Sequence, residues 1–252
     1  MIGSIQAVTQ IALTRNLLLA AFPPDSLARL EGAFRLEEMK VGASIFTAGA
    51  RTDLFFPLDL VISMLRPLEN GAEVEVGMVG AEGFAGFHAL LGVEASPHHT
   101  ITQGRGWLAR IDPAVMRAEM QREPRTADVL YRFIHAMFAH VTQLAACNRL
   151  HMVEERLAHW LLLLADRVGV PEMSVTQEFL ARMLGTRRAG INEAIRHLRE
   201  AGCIEHGRNR IRITNRELLE ERSCECYATK RADYQRDLGF APVVHGRVTD
   251  VD

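Results

Sequence analysis

The sequence has few cysteines: Cys147, Cys203, Cys224 and Cys226 are too few for a disulfide framework in a chain of 252 residues. Such usage is typical of a reducing compartment. The N-terminus lacks a basic leader followed by an uninterrupted apolar run, so a signal peptide is not expected. The apolar stretch "HWLLLLADRVG" is far shorter than the roughly 20 residues of a membrane span. We therefore expect a cytoplasmic protein with no membrane partner.

Motifs of catalysis are missing as well. The sequence contains no P-loop, no dinucleotide fingerprint, no nucleophile elbow and no HExxH motif, and each of these has a recognisable spacing. Scattered Glu and His residues occur in any chain and do not define an active site. We therefore expect that the protein is not an enzyme.

Charge is distributed unevenly. Residues 174–213 hold eight arginines and four glutamates without a lysine, a local charge of +4, whereas the whole chain carries −2. The remainder therefore carries −6. A basic segment on an acidic chain is typical of a protein that binds a polyanion. A solvated helix face is the alternative that charge alone leaves open.

The first half predicts short strands. A short helical stretch ends near Glu31, and residues 36–112 are rich in glycine and alternating runs such as "AEVEVGMV", with Val74, Val76 and Met78 on one face. Asn70-Gly71 before this run is a hairpin signal. Further strands are predicted in "SIFTAG", "TITQG" and "GWLARI". We expect an α+β protein whose N-terminal part is a β-roll of jelly-roll type.

A long helix is predicted next, because residues 126–150 contain no glycine or proline. Apolar residues recur in it at spacings of four and three, as in a coiled-coil seam. This spacing predicts a homodimer, and an ordinary core helix in a monomer is the alternative. The expected dimerisation residues are Leu130, Ile134, Met137, Val141 and Leu144.

The segment "SVTQEFLARMLGTRRAGINEAIRHLREAGCIEHGRNRIRIT" predicts two short helices and a basic hairpin. Thr176 caps the first helix, Gly185 supplies the turn, and Thr186 is expected to cap the second. Such a helix fits the DNA major groove, and arginines on the hairpin fit phosphates. A winged helix that contacts proteins is the alternative. The expected DNA-binding residues are Thr176, Gln177, Thr186, Arg187, Arg188, Ala189, Asn192, Glu193, Arg196, Arg208 and Arg210.

Taken together, these segments resemble the Crp/Fnr family of bacterial transcription regulators, most specifically in "TQEFLARMLGTRRAGINEAIRHLREAGCIE". The resemblance implies a β-roll of the cyclic-nucleotide-binding type, a homodimer, a palindromic double-stranded DNA operator and contact with RNA polymerase. Four segments are expected: a sensor domain (1–122), a dimerisation helix (123–150), a winged helix-turn-helix domain (151–215) and a helical tail (216–252). Arg188 matches an arginine of the family's recognition helix, whereas Ala189 and Glu193 depart from that pattern.

The stretch that binds cyclic AMP in the family departs further. Gly86 matches, but Phe87 replaces the glutamate that binds ribose, and Ser96 stands near the place of the phosphate-binding arginine. A buried phosphate without that arginine is costly, so we do not expect cyclic AMP to bind in the family's usual way. Gly86, Phe87, His88 and Ser96 are the candidate effector-pocket residues, and the effector itself is not predicted. A regulatory module acting through protein contacts is an alternative function.

No cofactor is predicted. No cysteine precedes Cys147, which excludes the N-terminal iron–sulfur cluster that the resemblance would suggest. A haem ligand among His88, His98 and His99 is disfavoured, since lone histidines in loops are usually solvated. Soft metal ligands are offered by Cys203, His206, Cys224 and Cys226, so a metal or redox variant of the regulator stays open. Cys203 better fits a small buried hydrophobe.

Overall fold

The structure is a computed structural model that describes residues 10–240, and every structural statement below concerns that part of the chain. Three short helices come first and pack their leucines under the β-roll: α1 (Gln10–Leu13), α2 (Leu17–Ala20) and α3 (Pro24–Leu30). Asn16 caps α2, because its Oδ1 accepts from the backbone N–H of Leu18 and Leu19. The last part of the predicted helical tail, residues 241–252, lies outside the described residues.

Six strands form two antiparallel three-stranded sheets, with orders β1-β6-β2 and β4-β3-β5. They are β1 (Arg35–Met39), β2 (Leu54–Pro57), β3 (Ile62–Pro67), β4 (Glu73–Val79), β5 (His99–Thr102) and β6 (Gly106–Ile111). The predicted hairpin at Asn70-Gly71 joins β3 to β4. Gly71 has a φ of +79° there, and Asn70 accepts from the N–H of Ala72 at 3.0 Å. The N-terminal β-roll of the predicted α+β fold is confirmed.

Two of the strand predictions need correction. "SIFTAG" forms no strand, since Ser44 makes only a single bridge to Ile101. Strands β1 and β2, conversely, were not predicted. The alternation expected in β4 also fails at Glu75, which is buried rather than solvent-facing. A β-bulge between Met64 and Leu65 shifts the register against β4, and a bulge changes which side chains face the core.

Aromatic packing joins the β-roll to the long helix. The ring of Phe84 lies 5.1 Å from that of Phe56 and 5.1 Å from that of Phe133. A Cβ on Gly83 would stand 2.0 Å from the Phe133 ring, so only glycine allows this approach. Burial of these rings removes a large apolar area from water and fixes the helix on the roll.

The helices that follow are long and well capped: α4 (Pro113–Arg122), α5 (Pro124–Leu150) and α6 (Val153–Val168). Proline at the first position suits α4 and α5, because the N–H it lacks would have no partner inside the helix. Helix α5 covers residues 124–150 of the predicted dimerisation segment, with Glu123 as its N-cap. Gly169, with φ of +73°, ends α6 in the left-handed conformation.

A winged helix-turn-helix completes the fold. It consists of β7 (Glu172–Met173), α7 (Gln177–Met183), α8 (Arg188–Glu200), β8 (Ile204–Gly207) and β9 (Arg210–Ile213), with sheet order β7-β9-β8. The tail is two helices, α9 (Arg216–Glu221) and α10 (Cys226–Leu238). Asn215 caps α9, since its Oδ1 accepts from the N–H of Leu218 at 3.0 Å.

Helix α10 turns back and packs on α5. Tyr234 is fully buried in the core of the β-roll domain, and the ammonium of Lys230 lies 3.1 Å from Nε2 of His140. Burial lowers the pKa of Lys230 and the pKa of His140, because a charged form is disfavoured away from water.

The winged domain is docked on the β-roll of the same chain. Apolar residues of β3 and β4, among them Leu65 and Met78, share one buried cluster with Leu161 and Met183. An ion pair of 2.8 Å between Arg167 of α6 and Glu82 of the roll is almost completely buried. No helix of residues 10–240 combines the length and the apolar character needed to cross a membrane.

Candidate nucleic-acid interface

Helix α7 begins as its sequence predicts. Oγ1 of Thr176 accepts from the N–H of Phe179 at 3.0 Å, and Glu178 lies in the first turn. A hydroxyl cap and an early acid both suit the positive end of a helix dipole. Leu180 is fully buried beneath, so the helix is anchored while Thr176 stays exposed and Gln177 half-buried.

The turn between the two helices depends on Gly185, whose φ is +58°. An added Cβ there would also stand 2.9 Å from Val74 of β4. Helix α8 starts at Arg188 with Arg187 at the N-cap position, and no side chain caps it. The prediction that Thr186 caps α8 is therefore wrong, because the turn takes one residue more than expected.

Helix α8 presents one face to the core and the other to solvent. Ile191, Ile195 and Leu198 are buried, as the sequence predicts. The solvent face carries the residues expected to contact DNA: Arg188, Ala189, Asn192, Glu193 and Arg196, all of them exposed. Arg187 is exposed and Thr186 half-buried at the start of the helix. Arginine is thus concentrated at the N-terminal end, where a recognition helix meets base edges.

One ion pair lies along the exposed face of α8. Arg196 pairs with Glu200 at 3.1 Å, one turn further on. Glu193 makes no ion pair with any residue of the described part of the chain. Its carboxylate therefore remains available at the exposed face of the helix.

The wing turns tightly between β8 and β9. Asn209 has a φ of +57°, which asparagine tolerates better than most residues. Arg208 and Arg210 are exposed on either side of it. Arg210 also lies 3.5 Å from Glu172 of β7, an exposed pair that leaves its guanidinium accessible.

These elements converge on one surface. A groove of about 340 Å³ joins the start of α7, the start of α8 and the wing. Its lining is Val175, Thr176, Gln177, Glu178, Arg188, His206, Gly207, Arg208 and Asn209. The sequence separates these residues by up to 34 positions, and the fold brings them into one basic concavity.

The predicted seam of α5 is only partly exposed. Leu130 and Met137 are buried in the core of their own β-roll domain, so they are not free to contact a partner, and the prediction is wrong at these positions. Ile134 and Leu144 are half-buried, and Val141 is exposed. The solvent face of α5 carries a different stripe, with exposed Tyr131, Phe138, Val141 and Ala145 and half-buried Ile134.

The candidate effector-pocket residues are each held by local contacts in the roll. Gly86 has a φ of +88°, and a Cβ there would meet the carbonyl oxygen of Asp53 at 2.2 Å. His88 is buried beside Thr52, and burial lowers its pKa. The hydroxyl of Ser96 donates to the backbone carbonyl of His98 and accepts from its backbone N–H. Phe87 packs edge-on against the Phe84 ring.

A cavity of about 600 Å³ lies nearby, between the roll and the start of α4. Its charged lining is Glu37, Asp53, Glu94, Asp112, Arg51, Arg110 and Arg117. Arg51 pairs with Glu94, and Arg110 pairs with Asp53 and Glu37. Arg117 donates to the carbonyl of Ala89 at 2.7 Å. The carboxylates outnumber the guanidinium groups, so this cavity does not favour an anionic phosphate.

The candidate metal ligands separate into two groups. Cys203 is fully buried in the apolar core of the winged domain, and His206 lies on the wing. Cys224 and Cys226 lie instead beside Cys147 and His151. The sequence pattern did not indicate Cys147 and His151 as candidate ligands. Their spacing of four residues at the end of α5 was the available signal.

A buried carboxyl group links the two domains. Glu75 of β4 accepts from the hydroxyl of Ser63 and, at 3.0 Å, from the indole N–H of Trp160 in α6. Burial raises the pKa of Glu75 to about 7, although both hydrogen bonds act in the opposite direction. This contact was not predictable from the alternation of β4.

The arrangement defines a winged helix-turn-helix protein with a β-roll domain on the same chain. Residues 155–222 match the family model of the Crp-like helix-turn-helix domain. No curated protein sequence matches the chain. The winged domain is thus a Crp-like helix-turn-helix domain.

Solved structures extend the comparison to the whole fold. A chain from Eubacterium rectale assigned to the Crp/Fnr family is 17% identical, with a TM-score of 0.66, over 82% of this chain and 98% of that one. The c-di-GMP-responsive regulator CLP of Xanthomonas campestris is 16% identical, with a TM-score of 0.65, over 77% and 100%. TTHB099, a CRP-family regulator of Thermus thermophilus, is 18% identical, with a TM-score of 0.61, over 81% and 97%.

Together these matches confirm the resemblance drawn from the sequence. The chain has the fold of the Crp/Fnr regulators and carries their helix-turn-helix domain. The three solved proteins are described as regulators, two of them as transcriptional regulators.

Proposed function

We propose that the protein is a homodimer that binds a palindromic DNA operator sequence-specifically and regulates transcription. The observation that carries the proposal is the groove in which Arg188, the start of α7 and the wing meet. The face is basic and exposed, and the apolar side of α8 anchors it rigidly. A protein-binding module acting without DNA would leave the arginines at the tip of α8 and on the wing without a role.

In this proposal α8 enters the major groove. Arg188 pairs bidentately with guanine, Asn192 pairs with adenine, and Glu193 accepts from the amino group of cytosine. Each good pair contributes about 1–3 kcal/mol of discrimination against the wrong base. Residues around them contact phosphate and sugar, which fixes register without specifying sequence. These are Thr176, Gln177, Thr186, Arg187, Ala189, Arg196, Arg208 and Arg210.

The exposed stripe of α5 supports the dimer. Tyr131, Ile134, Phe138, Val141 and Ala145 follow spacings of three and four, the pattern of a two-helix seam. Phe138 is 68% exposed in the single chain, and a large apolar side chain gains by burial against a second copy. Ile134 and Val141 belong both to this stripe and to the predicted seam, so the proposed interface is that seam rotated about the helix axis.

A two-fold dimer implies two equivalent half-sites, about one helical turn apart. The proposed partners are double-stranded DNA, a second copy of the chain and, through the fold it shares with Crp/Fnr regulators, RNA polymerase. This function places the protein in the cytoplasm. The effector is not cyclic AMP bound in the family's usual way, because two of the three arginines of the roll's cavity, Arg51 and Arg110, are already paired with carboxylates.

Selection from random duplexes tests the proposal. The purified chain is expected to enrich an inverted repeat, and its affinity for the enriched duplex is expected to fall steeply with salt. Recovery of no sequence preference, or of a single unrepeated half-site, would contradict it. Cyclic AMP added to the same binding assay is expected to leave the affinity unchanged.

A further inference from the structure

Four potential metal ligands meet where α5 ends and α10 begins. The Sγ atoms of Cys147, Cys224 and Cys226 and a ring nitrogen of His151 all lie within 4.8 Å of one another. The three cysteines are buried, and His151 is largely covered. Two sequence segments more than 70 residues apart supply two ligands each, so the cluster is a product of the fold.

The spacing of these atoms fits one tetrahedral ion. Sγ of Cys147 lies 3.5 Å from Sγ of Cys224, and Sγ of Cys226 lies 3.5 Å from Nδ1 of His151. A zinc ion with Zn–S bonds of about 2.3 Å holds its sulfur ligands roughly 3.8 Å apart. An iron–sulfur cluster gives each thiolate an iron of its own and therefore needs its ligands further apart.

The surroundings are those of a ligand set rather than of four unrelated side chains. Nε2 of His151 lies 3.1 Å from the carboxylate of Glu225, and a carboxylate on the second ring nitrogen orients a ligating histidine. The side-chain amide of Gln143 donates to Sγ of Cys226 at 3.0 Å, which stabilises a thiolate.

The geometry points to a mononuclear Zn²⁺ site formed by Cys147, His151, Cys224 and Cys226. Three cysteines and one histidine are a common ligand set of closed, structural zinc sites, which leave no position for a substrate. Cys203 and His206 take no part in it. The site is separate from the DNA-contacting face and does not depend on the proposed DNA-binding function.

The position of the site gives it a structural role. His151 stands between α5 and α6, the point at which the long helix meets the winged domain. Cys224 and Cys226 stand at the start of α10. The ion therefore ties the tail to this junction and holds the orientation of the winged domain relative to α5.

Metal titration of the full chain tests the site. The reduced protein, stripped with a chelator, is titrated with Co²⁺ and then with Zn²⁺ under anaerobic conditions. We expect one Co²⁺ per chain with the intense visible absorption of tetrahedral, thiolate-rich cobalt, and complete displacement by Zn²⁺. Absence of stoichiometric binding to the wild-type chain, or isolation of the chain with iron and sulfide, would overturn the proposal.

Variants assign the ligands. The double variant Cys224→Ser/Cys226→Ser should lose the cobalt spectrum, whereas Cys203→Ala, which removes a buried cysteine outside the site, should keep it. Glu225→Gln changes an exposed residue whose one ion pair among the described residues is with His151. It should weaken affinity about 10–100-fold with unchanged stoichiometry. Wild-type affinity in the double variant, with its fold verified by circular dichroism, would show that the ligands lie elsewhere.

Hydrogen exchange gives a second measurement. Removal of the ion from the wild-type chain should increase exchange in α10 and around residues 147–156, and leave the β-roll strands unchanged. Identical exchange with and without Zn²⁺ would contradict the structural role.

Discussion

Glu75 illustrates how a single side chain couples the two domains. Its carboxyl group is buried between Ser63 of β3 and Trp160 of α6, and burial raises its pKa to about 7. The pKa of an unfolded glutamate is near 4.5. The folded chain therefore holds a proton on Glu75 that the unfolded chain has released between these two values.

The raised pKa of Glu75 predicts that the folded chain loses stability as the pH rises. The contribution of Glu75 is fully present below about pH 4.5 and is lost as the pH rises through about 7. Glu75→Gln cannot ionise, so its free energy of unfolding relative to wild type should increase between pH 5 and pH 8 by about 3 kcal/mol. Urea unfolding of both proteins across this range measures the difference. If the free energies of unfolding of the two proteins differ by the same amount at every pH from 5 to 8, Glu75 does not titrate in this range.

Arg188 and Arg210 predict different kinds of loss. Arg188→Ala should cost about 1–3 kcal/mol at one base position and relax specificity there. Arg210→Ala should weaken all sequences alike and reduce the slope of log affinity against log salt by about 1. Fluorescence anisotropy on the selected operator and on single-base variants measures both effects. Unchanged base preference in Arg188→Ala would mean that another residue contacts that base.

Exposed residues were the most predictable from sequence. Turn chemistry and helical period place Arg188 and Asn192 on the outer face of α8, as observed. Buried polar contacts were not predictable, because Glu75 follows a strand pattern that assigns it to solvent. Cys147 and Cys224 meet only through the packing of α10 on α5, which no local pattern encodes.

Helix α5 shows how far periodicity alone determines an interface. Two apolar stripes with the same spacings run along it, one through Leu130 and Met137 and the other through Tyr131 and Phe138. The first packs into the β-roll, because Phe133 and Phe84 fix the rotation of the helix. A period of 3.5 residues indicates that a stripe exists without showing which neighbour covers it.

The exposed stripe predicts that Phe138→Asp abolishes the dimer. An aspartate there would be buried without a partner charge, which costs several kcal/mol, so dimer affinity should fall at least about a hundredfold. Leu91→Asp, at an exposed apolar residue of the β-roll, is the matched control. Sedimentation equilibrium measures both, and a Phe138→Asp chain that still dimerises like the control would place the interface elsewhere.

Over the whole molecule, the winged domain and the β-roll form one packed body. Their interface contains the buried pair of Arg167 and Glu82 and the partly exposed pair of Arg182 and Glu73. The turn after α7 lies against β4, with Gly185 beside Val74. A ligand that shifts β4 would therefore act directly on the turn that precedes α8, the helix proposed to contact DNA.

Breaking the buried pair should destabilise the whole chain. Glu82→Ala leaves Arg167 buried and unpaired, and loss of one partner of such a pair costs about 3–5 kcal/mol. Glu94→Ala removes the partner of Arg51 in a largely exposed pair, where about 0–1 kcal/mol is expected. Urea unfolding compares the two variants. Equal losses would mean that the pair between the domains contributes no more than a surface contact.

The most direct test of the proposed dimeric DNA binding concerns the spacing of the two operator half-sites. If two α8 helices of one dimer enter successive major grooves, their half-sites must lie on one face of the duplex, about one turn apart. Insertion of about 5 base pairs, half a turn, between the selected half-sites should abolish cooperative binding, and insertion of a whole turn should restore part of it. An affinity that does not change with the insertion would contradict the proposed dimeric binding, because the two α8 helices would then bind independently.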